Sequence, residues 1–208
     1  MHYTVSAMTP PSDIFPDDKA GLRASLRARR QSLDKEERLA LSRAAAGHLL
    51  RERIWTGAET VALYIAVRGE IDTEPLLRAA WDSGKQVLLP LCSPAGDAHM
   101  RFAPCSGPDG LTPGAYGIPE PICAEPVPLA CGEPDVIVVP GLAFDRKGIR
   151  LGQGGGFYDR YFARPETAGA LRIGLAYSFQ IVEKLPKDPW DLPVDGVCTE
   201  QGILWTAK

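Results

Sequence analysis

The stretch TVALYIAVRGEIDTEPLLRAAWDSGKQVLLPLC, residues 60–92, consists of two apolar runs with an amphipathic segment between them. The runs at 60–67 and 85–92 have the length and the β-branched content of buried strands. The segment at 72–84 begins with Asp72 or Thr73 as a helix cap, has a proline in its first turn and ends before a glycine. A strand–helix–strand unit of this kind predicts two parallel strands.

The chain on either side extends the same pattern. Upstream, residues 17–33 predict one helix and a second begins at Asp34; downstream, strands are predicted at 99–103, 135–144 and 171–179, with one or two edge strands within 193–205. Strands that alternate with helices and are apolar nearly throughout predict an α/β fold. We therefore expect a three-layer α/β/α single domain with a mostly parallel, Rossmann-like sheet over residues 17–208. Residues 1–16 are predicted to be a flexible tail.

The composition restricts the classes of partner. The formal net charge of −3 leaves no broad cationic surface, so we predict neither nucleic-acid nor membrane binding. The five cysteines form no CxxC pair, which favours reduced thiols and a cytoplasmic protein. No apolar run approaches the roughly 18–20 residues that span a bilayer. The expected assembly is a monomer or a weak homo-oligomer.

The segment GIRLGQGGGFYDRYFA, residues 148–163, is the strongest functional signal. Its glycines precede a predicted helix, so backbone amides and the helix start could face a phosphate chain. The pattern matches neither the dinucleotide GxGxxG motif nor a Walker loop, and glycines also occur merely to permit positive φ in a tight turn. The flanking cations favour phosphate binding: Arg146, Lys147, Arg150 and Arg160.

The first helix carries a basic stripe, Lys19, Arg23, Arg27 and Arg30, beside an apolar stripe of leucines. Such a stripe can be a solvated face. Because it borders the packing surface, Lys19 and Arg23 are predicted to reach a polyphosphate on the glycine-rich loop. Residues 93–134 are rich in proline and glycine and too long for a simple connection, which suggests that they cover a site.

Three carboxylates are candidates for chemistry. Asp159 lies one turn into the helix after the glycines and Asp195 lies at a predicted strand start; both could bind Mg²⁺, although the first also suits a helix start and the second a turn. Glu70 follows the first strand, where an α/β enzyme contacts its substrate, but a surface or capping role is equally open. None of the histidines suggests a nucleophile–base pair.

Several segments occur together in one order: GEIDTEPL, LTPGAYGIPEP, DVIVVPGLAFDRKGIRLGQGGGFYDRY and LPVDGVCTE, after the helix KAGLRASLRARR. From about residue 19 to residue 199 the chain resembles the 5-formyltetrahydrofolate cyclo-ligase family. The resemblance implies closure of 5-formyltetrahydrofolate to 5,10-methenyltetrahydrofolate, with ATP as co-substrate and Mg²⁺ as cofactor, through phosphorylation of the formyl oxygen.

The resemblance also implies roles for individual residues. Glu70 and Arg150 would be catalytic, and Asp159 and Asp195 would bind the metal. The implied ATP contacts are Lys19, Arg23, Arg150, Leu151, Gly152, Gln153, Gly154, Gly155, Gly156, Phe157 and Tyr158. The implied folate contacts are Ile65, Glu70, Tyr116, Gln153, Gly154, Gly155, Gly156 and Phe157.

Two positions depart from the family pattern. Gln153 stands where a cation is expected, so Arg146 or Arg150 could supply that phosphate contact instead. Trp190 stands where a histidine is expected, which leaves the role of the neighbouring Asp191 open. The competing hypotheses are a ligase that acts on another amide and a non-catalytic folate- or nucleotide-binding protein.

Overall fold

The computed structural model describes residues 18–92, 99–114, 117–122 and 134–206. Within them, the α-helices are α1 Lys19–Ser32, α2 Lys35–Leu50, α3 Arg53–Thr56, α4 Glu74–Asp82 and α5 Phe157–Phe162. The strands are β1 Thr60–Ala62, β2 Gln86–Cys92, β3 Met100–Pro104, β4 Leu111–Pro113, β5 Pro119–Pro121, β6 Val136–Pro140, β7 Ala143–Asp145, β8 Arg150–Leu151, β9 Leu171–Leu175, β10 Ile181–Val182, β11 Gly196–Thr199 and β12 Gly202–Trp205.

The main sheet has seven strands in the order β12-β11-β9-β6-β1-β2-β3. The five inner strands are parallel, and β3 and β12 pair antiparallel at the two edges. Val61 of β1 lies opposite Val87 on one side and Val136 on the other. The predicted parallel unit at residues 60–92 and the mostly parallel α/β sheet are therefore confirmed.

Strand order locates the crevice of this sheet. Numbered along the chain, the five parallel strands run 2-1-3-4-5, so the direction of winding reverses between β1 and β6. Ligands of open α/β sheets bind beyond the carboxyl ends of the strands at such a reversal. The fold alone thus points to the residues that follow β1 and β6.

Each face of the sheet has its own core. Val136 and Val138 of β6 belong to a cluster with residues of α1, α2 and α4, whereas Ile137 and Val139 belong to a cluster with residues of α5. This alternation is the two-residue period of a strand buried on both faces. The predicted three layers are present, and the described part of the chain has four helices on one face and the short α5 on the other.

Helices α1 and α2 begin where the sequence predicts. The Asp18 carboxylate accepts hydrogen bonds from the amides of Ala20 and Gly21, and the Asp34 carboxylate accepts one from the amide of Glu37. Leu22 and Leu26 of α1 are buried in the core. Arg30, one turn further on, is only 1% exposed, so the basic stripe of α1 ends inside the protein.

The predicted strand at 135–144 is two strands, β6 and β7, separated at Gly141. A side chain at Gly141 could not be accommodated, because its Cβ would lie 2.6 Å from the ring of Phe144. Strand β7 forms a hairpin with β8, in which the Asp145 carboxylate accepts hydrogen bonds from the amides of Lys147 and Ile149. The glycine-rich loop therefore follows a strand directly.

The prediction of one or two edge strands within residues 193–205 was right in part. Strand β12 is an edge strand, but β11 lies inside the sheet, paired with β9 and β12. In the part of the chain that the structure describes, no helix has the length and apolar character needed to cross a membrane.

Candidate active site

A cavity of about 510 Å³ lies at the carboxyl ends of β1, β2 and β6. Tyr64 and Ile65 follow β1, Pro90 and Cys92 belong to the end of β2, and Gly141 follows β6; all five line the cavity. This is the crevice that the strand order indicates. Its walls here are largely apolar and suit a flat aromatic ligand.

The glycine-rich loop forms the opposite wall, together with the first residues of α5. Gly154 and Gly156 have φ values of 106° and 65°, a region that side chains other than glycine rarely adopt. Turn geometry therefore accounts for these two glycines by itself. The loop also faces the cavity, so the structure leaves room for a ligand against its backbone.

Arginines fasten the loop from two directions. From α1, Arg23 Nε donates to the carbonyl of Gly152 at 3.0 Å, and Arg27 donates to the side-chain oxygen of Gln153 from Nε at 3.0 Å and from Nη2 at 2.8 Å. From α5, Arg160 donates to the carbonyl of Gly155. The loop is thus fixed by α1 and α5, through two backbone carbonyls and the side chain of Gln153.

Lys19 lies between two carboxylates of a distant segment. Its Nζ is 2.6 Å from Asp188 Oδ2 and 2.9 Å from Asp191 Oδ2. Burial lowers the pKa of Lys19, but the two carboxylates outweigh this effect and raise it overall. Trp190, between the two aspartates, lines the cavity with 66% of its surface exposed. The segment whose role the sequence left open is therefore part of the cavity wall.

Among the cations that line the cavity, Arg150 is the most enclosed, with 6% of its side chain exposed. Its Nη2 donates to both carboxylate oxygens of Asp159 at 3.1 Å, and its Nη1 donates to the carbonyl of Pro140 at 3.3 Å. Its guanidinium lies over the ring of Tyr158, 5.3 Å from the centroid. Its Nε is buried and has no hydrogen-bond partner among the described residues. Arg150 is therefore held in place with the Nε donor unused.

Glu70 has a side chain that is 9% exposed and lies near the buried Arg30, with 3.9 Å between Oε1 and Nη1. Burial raises the pKa of Glu70, and it is opposed by Arg30, by the amide of Val67 and by a hydrogen bond from the side chain of Gln153. Arg30 also donates to the carbonyls of Arg68 and Gly141. It thereby ties the loops after β1 and β6 together beneath the cavity.

Most residues that the sequence singled out lie in this cavity. Its lining includes Lys19, Arg23, Ile65, Glu70, Arg150, Leu151, Gly152, Gln153, Gly154, Gly155, Gly156, Phe157, Tyr158 and Asp159. Tyr116 lies outside the described residues, as does the predicted tail at 1–16. Within the connection at 93–134, residues 93–98, 115–116 and 123–133 lie outside them too. Met100 and Ile118, in its described part, line the cavity, and the predicted covering role stays a prediction.

Asp195 is not brought together with Asp159. It precedes β11, at the amino end of the parallel sheet, and its carboxylate accepts a hydrogen bond from the amide of Arg172 at 2.9 Å. Asp159 lines the cavity at the carboxyl ends. One ion held by both aspartates is therefore incompatible with the fold.

Two cations expected beside the loop also lie elsewhere. Arg146 pairs with Glu183, with 3.6 Å between Nε and Oε2, and neither Arg146 nor Lys147 lines the cavity. The residue that meets Gln153 is Arg27 instead. Conversely, Asp188 and Arg68 line the cavity although the sequence did not single them out. The signal available for Asp188 was its position in the sequence, two residues before Trp190 and three before Asp191.

The chain is similar to known proteins over most of its length. Residues 16–200 match the model of the 5-formyltetrahydrofolate cyclo-ligase family. The chain is 34% identical to the 5-formyltetrahydrofolate cyclo-ligase of Escherichia coli K12, over 86% of this chain and 98% of that protein, and 33% identical to that of Mycolicibacterium smegmatis, over 92% and 98%. The NMR structure of the 5,10-methenyltetrahydrofolate synthetase of Aquifex aeolicus superposes with a TM-score of 0.78 at 36% identity, covering 91% of this chain and 93% of that one. This chain therefore belongs to the 5-formyltetrahydrofolate cyclo-ligase family of enzymes.

Proposed function

We propose that the protein converts 5-formyltetrahydrofolate to 5,10-methenyltetrahydrofolate in a reaction that consumes ATP, requires Mg²⁺ and releases ADP and phosphate. The observation that carries the proposal is that Glu70 and the glycine-rich loop line one cavity. A phosphoryl donor on the loop and a formyl group beside Glu70 would meet there. The relatives named above carry the name of the same activity.

The chemistry explains the need for ATP. A formamide carbon is a weak electrophile, and its oxygen is a poor leaving group. In the proposed first step the formyl oxygen attacks the γ-phosphorus and ADP leaves, which gives an N5-iminium phosphate. Nitrogen 10 then adds to the formyl carbon and loses its proton, and the C–O bond breaks to release phosphate. The product is the N5–N10 amidinium cation.

The cations of the cavity suit the phosphoryl step. Lys19, Arg23 and Arg150 line the same wall as the loop, and their positive charge would offset the charge that develops as the phosphoryl group moves. Helix α5 has only six residues, so side chains rather than a long helix dipole would supply this stabilisation. Arg150 is already oriented by Asp159 and Pro140 and would move little on binding.

The residues at the loop also fit a magnesium nucleotide. Mg²⁺ is commonly held by one or two carboxylates together with substrate phosphates. The carboxylate of Asp159 lines the cavity and is 20% exposed, and Asp188 and Asp191 line the same wall. Among the described residues no group of three or more His, Cys, Asp or Glu could hold a metal alone, which is consistent with an ion that arrives on a nucleotide. The ion would neutralise phosphate charge, and we assign its protein ligand to Asp159 rather than to Asp195.

A spectrophotometric assay tests the proposal. Purified protein is mixed with 5-formyltetrahydrofolate, Mg²⁺ and ATP, and the near-ultraviolet absorbance of the methenyl product is followed. We expect product only when ATP and Mg²⁺ are both present, and little or none with Asp159→Ala. Folate binding without product would indicate a binding protein, whereas ATP consumption with another formamide only would indicate a different ligase. The tail at 1–16, the single catalytic domain, the assembly state and the cytoplasmic location stay predictions.

A further inference from the structure

Gln153 is the residue of the loop that contacts both α1 and Glu70. On one side its side-chain oxygen accepts two hydrogen bonds from Arg27. On the other side Gln153 lines the same cavity as Glu70, and its side chain acts as a hydrogen-bond donor that lowers the pKa of the Glu70 carboxylate. An amide has one acceptor end and one donor end, so the two contacts use different ends of the same group. Arg27 therefore decides which way the amide points.

Arg27 itself does not line the cavity, although Lys19 and Arg23 on the same helix do. Its Nη2 also lies 3.4 Å from the backbone carbonyl of Gln153, so the guanidinium grips both the side chain and the backbone of that residue. Every one of these contacts is with a single residue of the loop. Any effect of Arg27 on bound ligands should therefore pass through Gln153.

We propose that Arg27 is a positioning residue, which orients the amide of Gln153 so that its NH₂ group holds the carboxylate of Glu70 toward the reacting formyl group. The proposal deepens the proposed function and rests on it, because Glu70 is taken to be the carboxylate at the formyl end. The side chains of Arg27, Gln153 and Glu70 would then link helix α1 to the side of the cavity where the folate is proposed to bind. Binding on one side would then stabilise the geometry on the other.

Two other groups act directly on the Glu70 carboxylate, and neither depends on Arg27. The amide of Val67 donates to Oε2 at 3.2 Å, and Arg30 from α1 lies 3.9 Å from Oε1 and is already shared with two carbonyls. The charged or titratable groups that also act on it are Arg68, Tyr64 and Tyr158, and the Tyr177 hydroxyl donates to the Glu70 backbone carbonyl rather than to the carboxylate. Without Arg27, the amide of Gln153 is free to present its oxygen to Glu70. Two oxygens facing each other would displace the carboxylate and favour its protonated form.

A double-mutant cycle tests the proposal, with Arg27→Ala, Gln153→Ala and the double variant compared with the wild type. At saturating ATP we expect Arg27→Ala to lower kcat/KM for 5-formyltetrahydrofolate about tenfold in the wild-type background, and less than twofold when Gln153 is already alanine. In Arg27→Ala the acidic limb of the pH profile should also move to higher pH. Equal losses in both backgrounds, or a loss confined to the KM for ATP, would show that Arg27 acts directly on the nucleotide and would overturn the proposal.

Two further variants separate positioning from simple fastening of the loop. Gln153→Glu keeps an acceptor for Arg27 but sets a second carboxylate against Glu70, so we expect a larger loss than in Gln153→Ala; activity at the wild-type level would contradict the proposal. Arg29→Ala, which removes a neighbouring arginine that packs over Phe179 outside the cavity, should stay within about twofold of the wild type.

The failure of this inference is distinguishable from failure of the proposed function. If the wild type forms no methenyl product with ATP, the proposed function fails, and the same cycle is then measured on the Kd of 5-formyltetrahydrofolate by calorimetry without nucleotide. Additive effects on that Kd would overturn the role of Arg27 as well. Coupled effects would retain it for folate binding.

Discussion

The two ends of the parallel sheet use aspartates in different ways. At the amino ends, Asp135 and Asp195 each stand directly before a strand, β6 and β11, and accept hydrogen bonds from backbone amides at the start of the neighbouring strand. At the carboxyl ends, Asp159 and Asp191 line the cavity and face the side chains of Arg150 and Lys19.

The two ends differ in whether the partner of the carboxylate can exchange it for another anion. The aspartates at the amino ends are hydrogen-bonded to backbone amides that belong to the neighbouring strand, so they stabilise strand pairing. Side-chain cations in a cavity can exchange one anion for another, so the aspartates at the carboxyl ends can release Lys19 and Arg150 to phosphate and can themselves meet a metal ion. Substitution of the aspartates at the amino ends should therefore affect stability, and substitution of those at the carboxyl ends should affect catalysis.

The largest expected effect comes from Asp159→Asn measured beside Asp195→Asn. We expect the first to lower kcat by roughly 10²–10³-fold, because the proposed protein ligand of Mg²⁺ and the carboxylate that orients Arg150 are lost together. The asparagine oxygen can still accept a hydrogen bond from Arg150, which limits the loss of Tm. The second should keep kcat/KM within about threefold of the wild type. Steady-state kinetics and thermal unfolding are measured for both variants. Loss of activity in Asp195→Asn without a change in Tm would contradict the assignment of Asp195 to a structural role.

Glu70→Gln should lower kcat/KM by about 10²-fold, as expected when a group that orients the reacting atoms is lost. Burial raises the pKa of Glu70, so in the wild type the ionised form is lost as the pH falls through a value above that of an ordinary glutamate. The profile of kcat/KM against pH should therefore have an acidic limb that is missing in Glu70→Gln. An unchanged limb in the variant would assign it to another group.

Asp135→Ala is expected to act on stability alone. Its carboxylate accepts hydrogen bonds from the amides of Glu59 and Thr60 at 2.8 and 2.9 Å, and their loss should cost about 1–3 kcal/mol of the free energy of unfolding. For a chain of this size, each kcal/mol corresponds to about 2–4 °C in Tm. Urea denaturation measures the loss, and activity at low temperature should match the wild type. Loss of activity without loss of stability would break the distinction between the two ends.

The smallest effect should come from Asp188→Asn at the rim of the cavity. The Asp188 side chain, which contacts Lys19, is 45% exposed. Exposed ion pairs contribute about 0–1 kcal/mol to the free energy of unfolding. We expect Tm to change by no more than about 2 °C and the Kd for ATP to change by a few-fold, with a smaller difference at high salt. Titrations at two ionic strengths measure it. A salt-independent change would mean that Asp188 contacts the ligand by more than charge.

The sequence predicted the features that depend on local pattern. Apolar runs identified the strands around residues 60–92, and Asp34 identified the start of α2. Glu70 follows a predicted strand, and the family resemblance placed it in one site with the glycine-rich loop. Strand β8, which directly precedes the loop, was not predicted. The split of the strand at 135–144 was missed, since the obstacle at Gly141 is the ring of Phe144 and depends on the folded chain.

Contacts between distant residues were beyond the sequence pattern. Arg30 lies on the same helical stripe as Lys19, yet it is buried because the carbonyls of Arg68 and Gly141 reach it only in the folded protein. The placement of Asp195 could have been corrected from the sequence: a residue that begins a parallel strand lies at the amino end of the sheet, opposite the ligand crevice.

The pairing of Lys19 with Asp188 and Asp191 spans 169 and 172 residues of chain. During synthesis at roughly 5–20 residues per second, helix α1 is made on the order of ten to thirty seconds before the segment that receives its lysine. The cavity therefore cannot close until that segment has been made, and a protein truncated before residue 188 lacks one wall of it.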